Sequence, residues 1–224
     1  MNTILEYLTD LEKNNNREWY HANKERLHQA NTEFEHLLGE LIAAIGDFDS
    51  SVIHNNPRDL TFKLVRDTRF SHDKSPYNPA FRAHISSKGK LPIPVGYYVL
   101  IAPRGRSFLG GGLFAAMFKD ATALIRDYIV AHGNELDAII RAKTFSDNFV
   151  IKGEALKNVP KGYDPNNPQA EYLKFKSWYL EYPVSDAEVS QDGFIIKAAQ
   201  LFEYMTPFND FLNEALKDFQ MPSR

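Results

Sequence analysis

The spacing of apolar residues divides the chain into a helical beginning, a strand-rich middle and a helical end. Residues 4–11 (ILEYLTDL) place their apolar side chains at helical intervals, which predicts a short first helix. A longer helix is predicted from about residue 17 to residue 44, because apolar residues there recur every three or four positions. Asn15, with Glu18 three residues later, is typical of the capping box that starts such a helix.

The middle of the chain alternates between apolar and polar residues. This alternation predicts strands over residues 60–66, 80–88 and 95–103. Residues 106–109 are the expected hairpin partner of the third strand, and the three glycines at 110–112 are expected to end it. The intervening residues 67–79 are polar and contain proline, so we expect a loop.

Helical spacing returns in the last half of the chain. It predicts helices over about residues 120–131 and 135–142, then a short strand at 148–151 and a loop at 157–168. A further strand is expected near residues 178–182, followed by a helix that Ser185 and Glu188 cap. Residues 194–216 predict one or two helices, with Pro207 as the expected point of a break.

The predicted strands follow one another without the helical crossovers that a parallel sheet needs. The chain is therefore expected to be α+β, with a mainly antiparallel central sheet at about residues 60–110 plus a strand near 178–182. Helices from the N-terminal and C-terminal regions would cover this sheet. No repeat or linker divides the sequence, so we predict a single domain over residues 1–224.

Composition excludes several classes of site. The chain has no cysteine, so disulfides, thiolate metal sites and a catalytic cysteine are ruled out. Its seven histidines lack metal-ligand spacing, and neither glycine-rich nucleotide motif is present. The sequence thus gives no evidence for a metal, nucleotide or flavin cofactor.

The first residues do not resemble a signal peptide, and no apolar run approaches the roughly 20 residues of a membrane span. We expect a cytoplasmic protein with no membrane partner.

Charge is distributed unevenly along the chain. Ten basic and three acidic residues lie between Arg58 and Arg106, a local charge of +7 in a chain whose net charge is −3. The overall negative charge argues against nucleic acid as a partner. The basic segment must be neutralised by the fold, by an anionic ligand, or by both.

A motif stands at the centre of this basic segment, in residues 63–77 (KLVRDTRFSHDKSPY). It resembles the motif R-x-x-R-D-x-R-F, then D or N and K-x-x-Y, of an uncharacterised bacterial and fungal family known as domain of unknown function 2461. The matching residues are Arg66, Asp67, Arg69, Phe70, Asp73, Lys74 and Tyr77. Lys63 replaces the first arginine, which keeps the charge but loses the planar guanidinium. Residues 15–19, 110–112 and 160–164 are also similar to parts of that family, so the resemblance spans nearly the whole chain.

The first interpretation of the motif is a ligand site. Arg66, Arg69 and Lys74 would converge on a phosphate or carboxylate, because guanidinium groups match the geometry of such anions. The candidate catalytic residues are then the remaining polar members of the motif, Asp67, Asp73 and Tyr77. The second interpretation is structural: the same arginines and aspartates would form an ion-pair network that fixes the loop to the sheet.

Two further segments have alternative interpretations. Lys161 and Asp164 would join the ligand site if their loop lies beside the motif, whereas the alternative is a turn with Gly162 at positive φ. The glycines at 110–112 lack the spacing of a phosphate-binding loop, so a sharp turn or a place of close packing is expected there instead.

Two functions therefore remain open at this point. One is binding of a small anionic ligand, possibly phosphorylated, through residues 63–77, with or without catalysis. The other is a non-enzymatic protein-interaction module in which the motif is a structural ion-pair network. The sequence does not decide between an enzyme and a binding protein, and it does not determine the oligomeric state.

Overall fold

A computed structural model describes residues 2–114 and 118–222. The chain begins with three helices: α1 (Asn2–Lys13), α2 (Arg17–Ala22) and α3 (Lys24–Ile45). After a 3₁₀ turn and the short α4 (Pro57–Leu60), three strands follow: β1 (Phe81–Ile85), β2 (Gly96–Ile101) and β3 (Ser107–Leu113). The remaining elements, in order, are α5 (Lys119–Ala131), α6 (Gly133–Arg141), α7 (Lys143–Ser146), α8 (Ala170–Leu173), β4 (Trp178–Val184), α9 (Asp186–Val189) and α10 (Phe194–Ala215).

The four strands form one antiparallel sheet in the order β1-β2-β3-β4. Tyr98 lies opposite Gly110, and Gly110 lies opposite Glu181, so these three residues share one face of the sheet. The structure confirms the α+β prediction, with an antiparallel sheet in the middle of the chain and a strand near residues 178–182.

The other face of the sheet, called here the inner face, packs against α10 and α3. Most of its side chains are fully buried, as at Ala83, Val99 and Leu180, and they merge with the apolar side of α1 into one cluster of buried residues. Burial of this apolar surface is the main source of stability, at roughly 25 cal/mol for each Å² removed from water. None of the helices in the described residues is long and apolar enough to cross a membrane.

The helix predicted over residues 17–44 is two helices, separated at Asn23. The side-chain amide of Asn23 donates to the carbonyl of Trp19 at 2.9 Å, and its backbone N–H donates to the same carbonyl at 3.0 Å. Asparagine competes in this way with regular helical hydrogen bonding, which explains the interruption.

Pro207 does not break the last helix, since α10 continues unbroken from Phe194 to Ala215. The proline lies on the exposed side of the helix, where water can hydrate the carbonyl that has lost its donor. Of the two alternatives for residues 194–216, a single helix is the one that forms.

Two predicted strands do not form. Residues 60–66 contribute the end of α4 and then only isolated bridges, Thr61 with Ala83 and Val65 with Tyr77. This segment pairs briefly with β1 and then with the end of its own loop, so no continuous ladder develops. Residues 148–151 follow α7 as irregular chain, and only the next residue, Lys152, forms an isolated bridge to β4.

The glycines at 110–112 lie inside β3 rather than after it. A Cβ atom at Gly111 would lie 3.0 Å from both Met205 and Asn209 of α10. On the opposite face, a Cβ at Gly110 would lie 2.9 Å from the ring of Phe114. The glycine run therefore lets a helix approach one face of the strand and an aromatic ring approach the other, in agreement with the close-packing interpretation.

Replacing Gly112 with alanine is expected to destabilise the protein by at least about 2 kcal/mol. Gly112 has φ of +88°, and a Cβ would collide with the backbone carbonyl of Trp178. Gly39→Ala is the control, because Gly39 is inside α3 with its nearest neighbour at 3.7 Å, and alanine there should stabilise by about 0.5–1 kcal/mol. Urea denaturation of both variants measures the difference, and a Gly112→Ala variant as stable as the wild type would contradict the packing argument.

Candidate functional site

Arg66 is bound within its own loop. Its guanidinium forms an ion pair with Asp73 and donates to the carbonyl of Ser75 at 3.2 Å and to the hydroxyl of Ser71 at 3.3 Å. The carboxylate of Asp73 also accepts from the backbone N–H of Ser75 at 2.9 Å. Arg66 thus closes the loop of the motif upon itself.

Arg69 and Lys74 are also engaged inside the loop. Arg69 forms a bidentate pair with Asp67, with Nη2 2.6 Å from Oδ2 and Nε 3.0 Å from Oδ1. Lys74 donates to the carbonyl of Thr68 at 3.0 Å. The three predicted ligand-binding cations of the motif therefore have partners in the loop, and they do not converge on a common point through the contacts that they make.

Neither aspartate of the motif is tuned as a general base. Hydrogen bonds from Ser75, and then the neighbouring Arg66, hold the pKa of Asp73 well below its ordinary range. The Arg69 guanidinium likewise lowers the pKa of Asp67. A carboxylate with a lowered pKa stays ionised at neutral pH and accepts a proton only weakly.

Tyr77 and Asn15 attach the motif to the N-terminal helices. Tyr77 is buried and its ring stacks on that of Tyr20 at 3.9 Å between centroids. The Asn15 side chain donates to the carbonyl of Tyr77 at 2.9 Å and accepts from its N–H at 3.1 Å.

The predicted capping role of Asn15 is wrong, because Asn16 caps α2 by accepting from Trp19 N–H at 2.9 Å. Asn15 is free to bind the motif since the cap lies one residue later.

A polar cleft of about 410 Å³ lies between the motif and the turn that joins β2 to β3. Arg66 and Arg106 line it, but so do Asp73 and Glu12, and Arg106 pairs with Glu12 at 2.7 Å. Cations and carboxylates are thus matched in this cleft. Such an arrangement fixes the local structure and leaves little charge to attract an anion.

The loop with Lys161 and Asp164 forms a turn away from this cleft. Asp164 accepts from the N–H of Asn166 at 2.9 Å, and Gly162 has φ of +101°, as expected for an Asx-type turn. Between them, Tyr163 donates to Asp127 of α5 at 2.8 Å. Neither Lys161 nor Asp164 lines the cleft or contacts the motif among the described residues. The turn interpretation accounts for the loop.

The outer face of the sheet, opposite the face that packs on α10, carries a layer of aromatic rings. Tyr98 of β2 packs against Phe114 at 5.1 Å and against Phe108 of β3 at 5.7 Å between centroids. Phe114 in turn stacks on Tyr179 of β4 at 4.5 Å. These rings lie side by side because Gly110 leaves room for Phe114 on the sheet.

A pocket of about 520 Å³ opens at the β1 side of this aromatic layer, and we call it the outer-face pocket. Its volume lies within the usual range for small-molecule sites. It is lined by Phe62, Arg82, His84, Lys90, Pro92, Tyr98, Gly112 and Phe114.

Two cations line the outer-face pocket and donate to backbone carbonyls. Arg82 donates through Nη2 to the carbonyl of Lys63 at 3.2 Å and lies 5.6 Å from the ring centroid of Phe62. Lys90 donates to the carbonyl of Thr61 at 3.3 Å. In the described part of the chain, no carboxylate forms an ion pair with either cation, and no acidic residue lines the pocket. The pocket is therefore positively charged, in contrast to the cleft beside the motif.

Two of the lining residues carry buried polar atoms whose hydrogen bonding is incomplete within the described residues. His84 is only 5% exposed, and its Nδ1 has no hydrogen-bond partner among the described residues; the same holds for Nε of Arg82. Burial lowers the pKa of His84 to about 4, so the imidazole is neutral at physiological pH. Burial also raises the pKa of the Tyr98 phenol, which Arg82 counteracts, so Tyr98 remains a hydrogen-bond donor. The pocket thus combines two cations, a phenol and a neutral imidazole with apolar rings.

A family model described as conserved hypothetical protein (DUF2461) matches residues 3–211. The chain belongs to this family. The resemblance drawn from residues 63–77 and the other matching segments is therefore confirmed at the level of the family. The comparison with curated proteins gives no match, and neither does the comparison with solved structures.

The sequence of this DUF2461 member does not by itself distinguish the polar residues of the pocket. Arg82 and Lys90 belong to the basic segment, and the alternation of residues 80–88 places Arg82 and His84 on one face of β1. That pattern does not reveal whether the face is covered by a helix or left open. The pocket and its aromatic border, as the described residues form them, appear only in the folded structure. No three histidine or acidic residues in the described parts of the chain are grouped to hold a metal ion.

Asn15→Ala is expected to lower the free energy of unfolding by about 1–3 kcal/mol, since the N–H and carbonyl of Tyr77 would lose their partner in a partly buried position. The matched control is Asn14→Ala, because Asn14 is exposed and its side chain donates to the carbonyl of Asp10 in the preceding helix. Thermal and urea denaturation would measure both variants. Equal losses in the two variants would argue against Asn15 as the attachment point of the motif.

His84 should make the protein less stable as the pH falls from about 6.5 to 4. The unfolded imidazole takes up a proton near 6.5, whereas the folded one does so at about 4, so protons favour unfolding in this interval. Relative to neutral pH, the loss attributable to His84 reaches up to about 3 kcal/mol.

The test compares the pH dependence of urea denaturation in the wild type, His84→Met and His28→Met. His84→Met should show a shallower fall in stability across this interval, whereas exposed His28 serves as the control. A wild type and His84→Met with parallel pH profiles would exclude this role for the imidazole.

Proposed function

We propose that this protein binds a small organic anion in the outer-face pocket. The observation that carries the proposal is the presence of two cations, Arg82 and Lys90, in a pocket where no carboxylate among the described residues neutralises them. An anionic group would complete their hydrogen bonding and offset their charge. Charge-assisted hydrogen bonds of this kind contribute more than neutral ones, especially where aromatic walls reduce access of water.

The pocket is also suited to the body of an organic ligand. Phe62, Tyr98, Phe114 and Pro92 give it a largely apolar lining, and a few polar groups stand at defined positions among them. This combination of an apolar cavity with a few convergent polar groups is common in small-molecule sites. The phenol of Tyr98 lies close enough to Arg82 to interact with it, so it can hydrogen-bond to the same anionic group.

The proposal keeps the ligand class expected from the sequence but assigns a different place to it. The predicted ligand-binding residues Arg66, Arg69 and Lys74 bind within their own loop. The ion pairs of the motif favour a structural role: they hold the loop that follows Phe62 and Lys63. Those two residues border the pocket, one through its ring and the other through the carbonyl that receives Arg82.

A second candidate function is the protein-interaction module. It is favoured by Phe70, whose side chain is 95% exposed at the tip of the motif loop. An exposed phenylalanine beside paired charges is suited to contact with another protein. The two candidates need different residues, since the pocket depends on Arg82 and Lys90 and the interaction module on Phe70.

Arg82→Gln should weaken binding of small organic anions about tenfold or more, because glutamine lacks the charge and the guanidinium fork. The matched control is Lys88→Gln, since Lys88 is exposed in the loop between β1 and β2 and does not line the pocket. Isothermal titration calorimetry with a panel of carboxylates and phosphate esters measures the affinities. If Arg82→Gln binds every member of the panel as tightly as the wild type does, the pocket is not the anion site.

A further inference from the structure

The polar groups of the outer-face pocket are concentrated on one side. Arg82 and Lys90 both donate to carbonyls of the same extended segment, at Lys63 and Thr61, which runs beside β1. These contacts hold the two cations at the β1 edge of the sheet. An anionic group in the pocket would therefore bind at this edge.

The opposite side of the pocket is apolar. Gly112 and Phe114 lie on or next to β3, two strands away from β1, and Tyr98 of β2 lies between them and the cations. Adjacent strands are about 4.8 Å apart, so the pocket extends roughly 10 Å from the cations to the far side. This length accommodates a charged group followed by a body of one or two rings.

The rings that border the pocket favour a flat body. Phe62 lies 6.3 Å from Tyr98, and Phe114 lies 5.1 Å from it, both measured between centroids. Within the described residues, no ring contact joins Phe62 directly to Phe114, so the two rings stand apart on either side of Tyr98. A planar aromatic ring can stack against such surfaces, whereas a saturated ring is thicker and gains no stacking energy.

We infer that the ligand of the outer-face pocket is a planar aromatic anion. Its carboxylate or phosphate binds Arg82 and Lys90, and its ring lies above Tyr98 between Phe62 and Phe114. This inference rests on the proposed function, and it adds the chemical class of the ligand. Inorganic phosphate would leave the ring-lined part of the pocket empty, and an aliphatic acid would fill it without stacking.

The test uses four probes that vary the body and the charged group independently: benzoate, cyclohexanecarboxylate, phenyl phosphate and cyclohexyl phosphate. Fragments of this size bind with dissociation constants on the order of 1 mM, which ligand-observed NMR titration measures. The two aromatic probes should bind about three- to tenfold more tightly than their saturated counterparts, in line with the usual gain from ring stacking. Comparison of the two aromatic probes shows whether the carboxylate or the phosphate is preferred.

Phe62→Leu tests the stacking, because leucine retains an apolar side chain and removes the ring. It should bring the ratio of the affinities for the aromatic and saturated probes close to one, because the aromatic probes lose the stacking that the saturated probes never had. Measurable binding of the saturated probes also shows that the pocket still forms in the variant. Phe70→Leu is the matched control, since this exposed phenylalanine lies outside the pocket, and it should leave the ratio unchanged.

The outcomes separate this inference from the proposed function. Suppose that Arg82→Gln weakens binding of all four probes. The aromatic ligand class alone would then be overturned if the saturated probes bind as tightly as the aromatic ones. It would also be overturned if Phe62→Leu leaves the ratio of their affinities unchanged. Probes that fail to bind the wild type, or that bind Arg82→Gln equally well, would overturn both.

Discussion

The close approach of α10 to the middle of β3 is the constraint on which the sheet depends. The buried Asn209 of α10 accepts from the N–H of Gly112 at 2.8 Å and donates to the carbonyl of Gly96 at 3.2 Å. One side chain of the helix therefore joins β2 and β3 through their backbones. A buried amide with such partners is strongly tied to its position, because losing them would leave polar groups unsatisfied. The distance that these bonds require is available only because residue 111 has no side chain.

The same glycines shape the opposite face. Gly110 leaves space above the strand, and Phe114 turns back to occupy it beside Tyr98 and Tyr179. The aromatic layer that results is only half-buried, and the outer-face pocket lies at its border. One run of three residues thus determines both how the helix packs on the sheet and how much of the other face remains open.

The cations of the basic segment between Arg58 and Arg106 have two different kinds of partner. Arg66 and Arg69 pair with aspartates of their own loop, and Arg104 and Arg106 both contact Glu12 at the end of α1. Exposed ion pairs of this kind contribute little to global stability, but together they set the conformation of a loop that has few apolar contacts. Among the described residues, the contacts of Arg82 and Lys90 are with backbone carbonyls, the ring of Phe62 and the phenol of Tyr98. Carbonyl dipoles orient a cation without cancelling its charge, so these two residues remain able to attract an anion.

Hydrophobic periodicity alone determined the helix-rich beginning and end of the chain and placed all four strands near their observed positions, because burial of one face imposes a period on the sequence. The residues of the motif identified the family, and their charges gave internal ion pairs as one of two interpretations. Residues 60–66 have the alternation of a strand, yet their pairing is divided between β1 and their own loop, which is a choice made by long-range contacts. The interruption at Asn23 and the continuity through Pro207 likewise depend on local hydrogen bonds and exposure.

The pocket, in contrast, is formed by residues that are far apart in the sequence. Its cations come from β1 and the following loop, its rings come from three other segments, and α3 and α10 pack on the opposite face of the sheet. No local pattern encodes the distances between these parts.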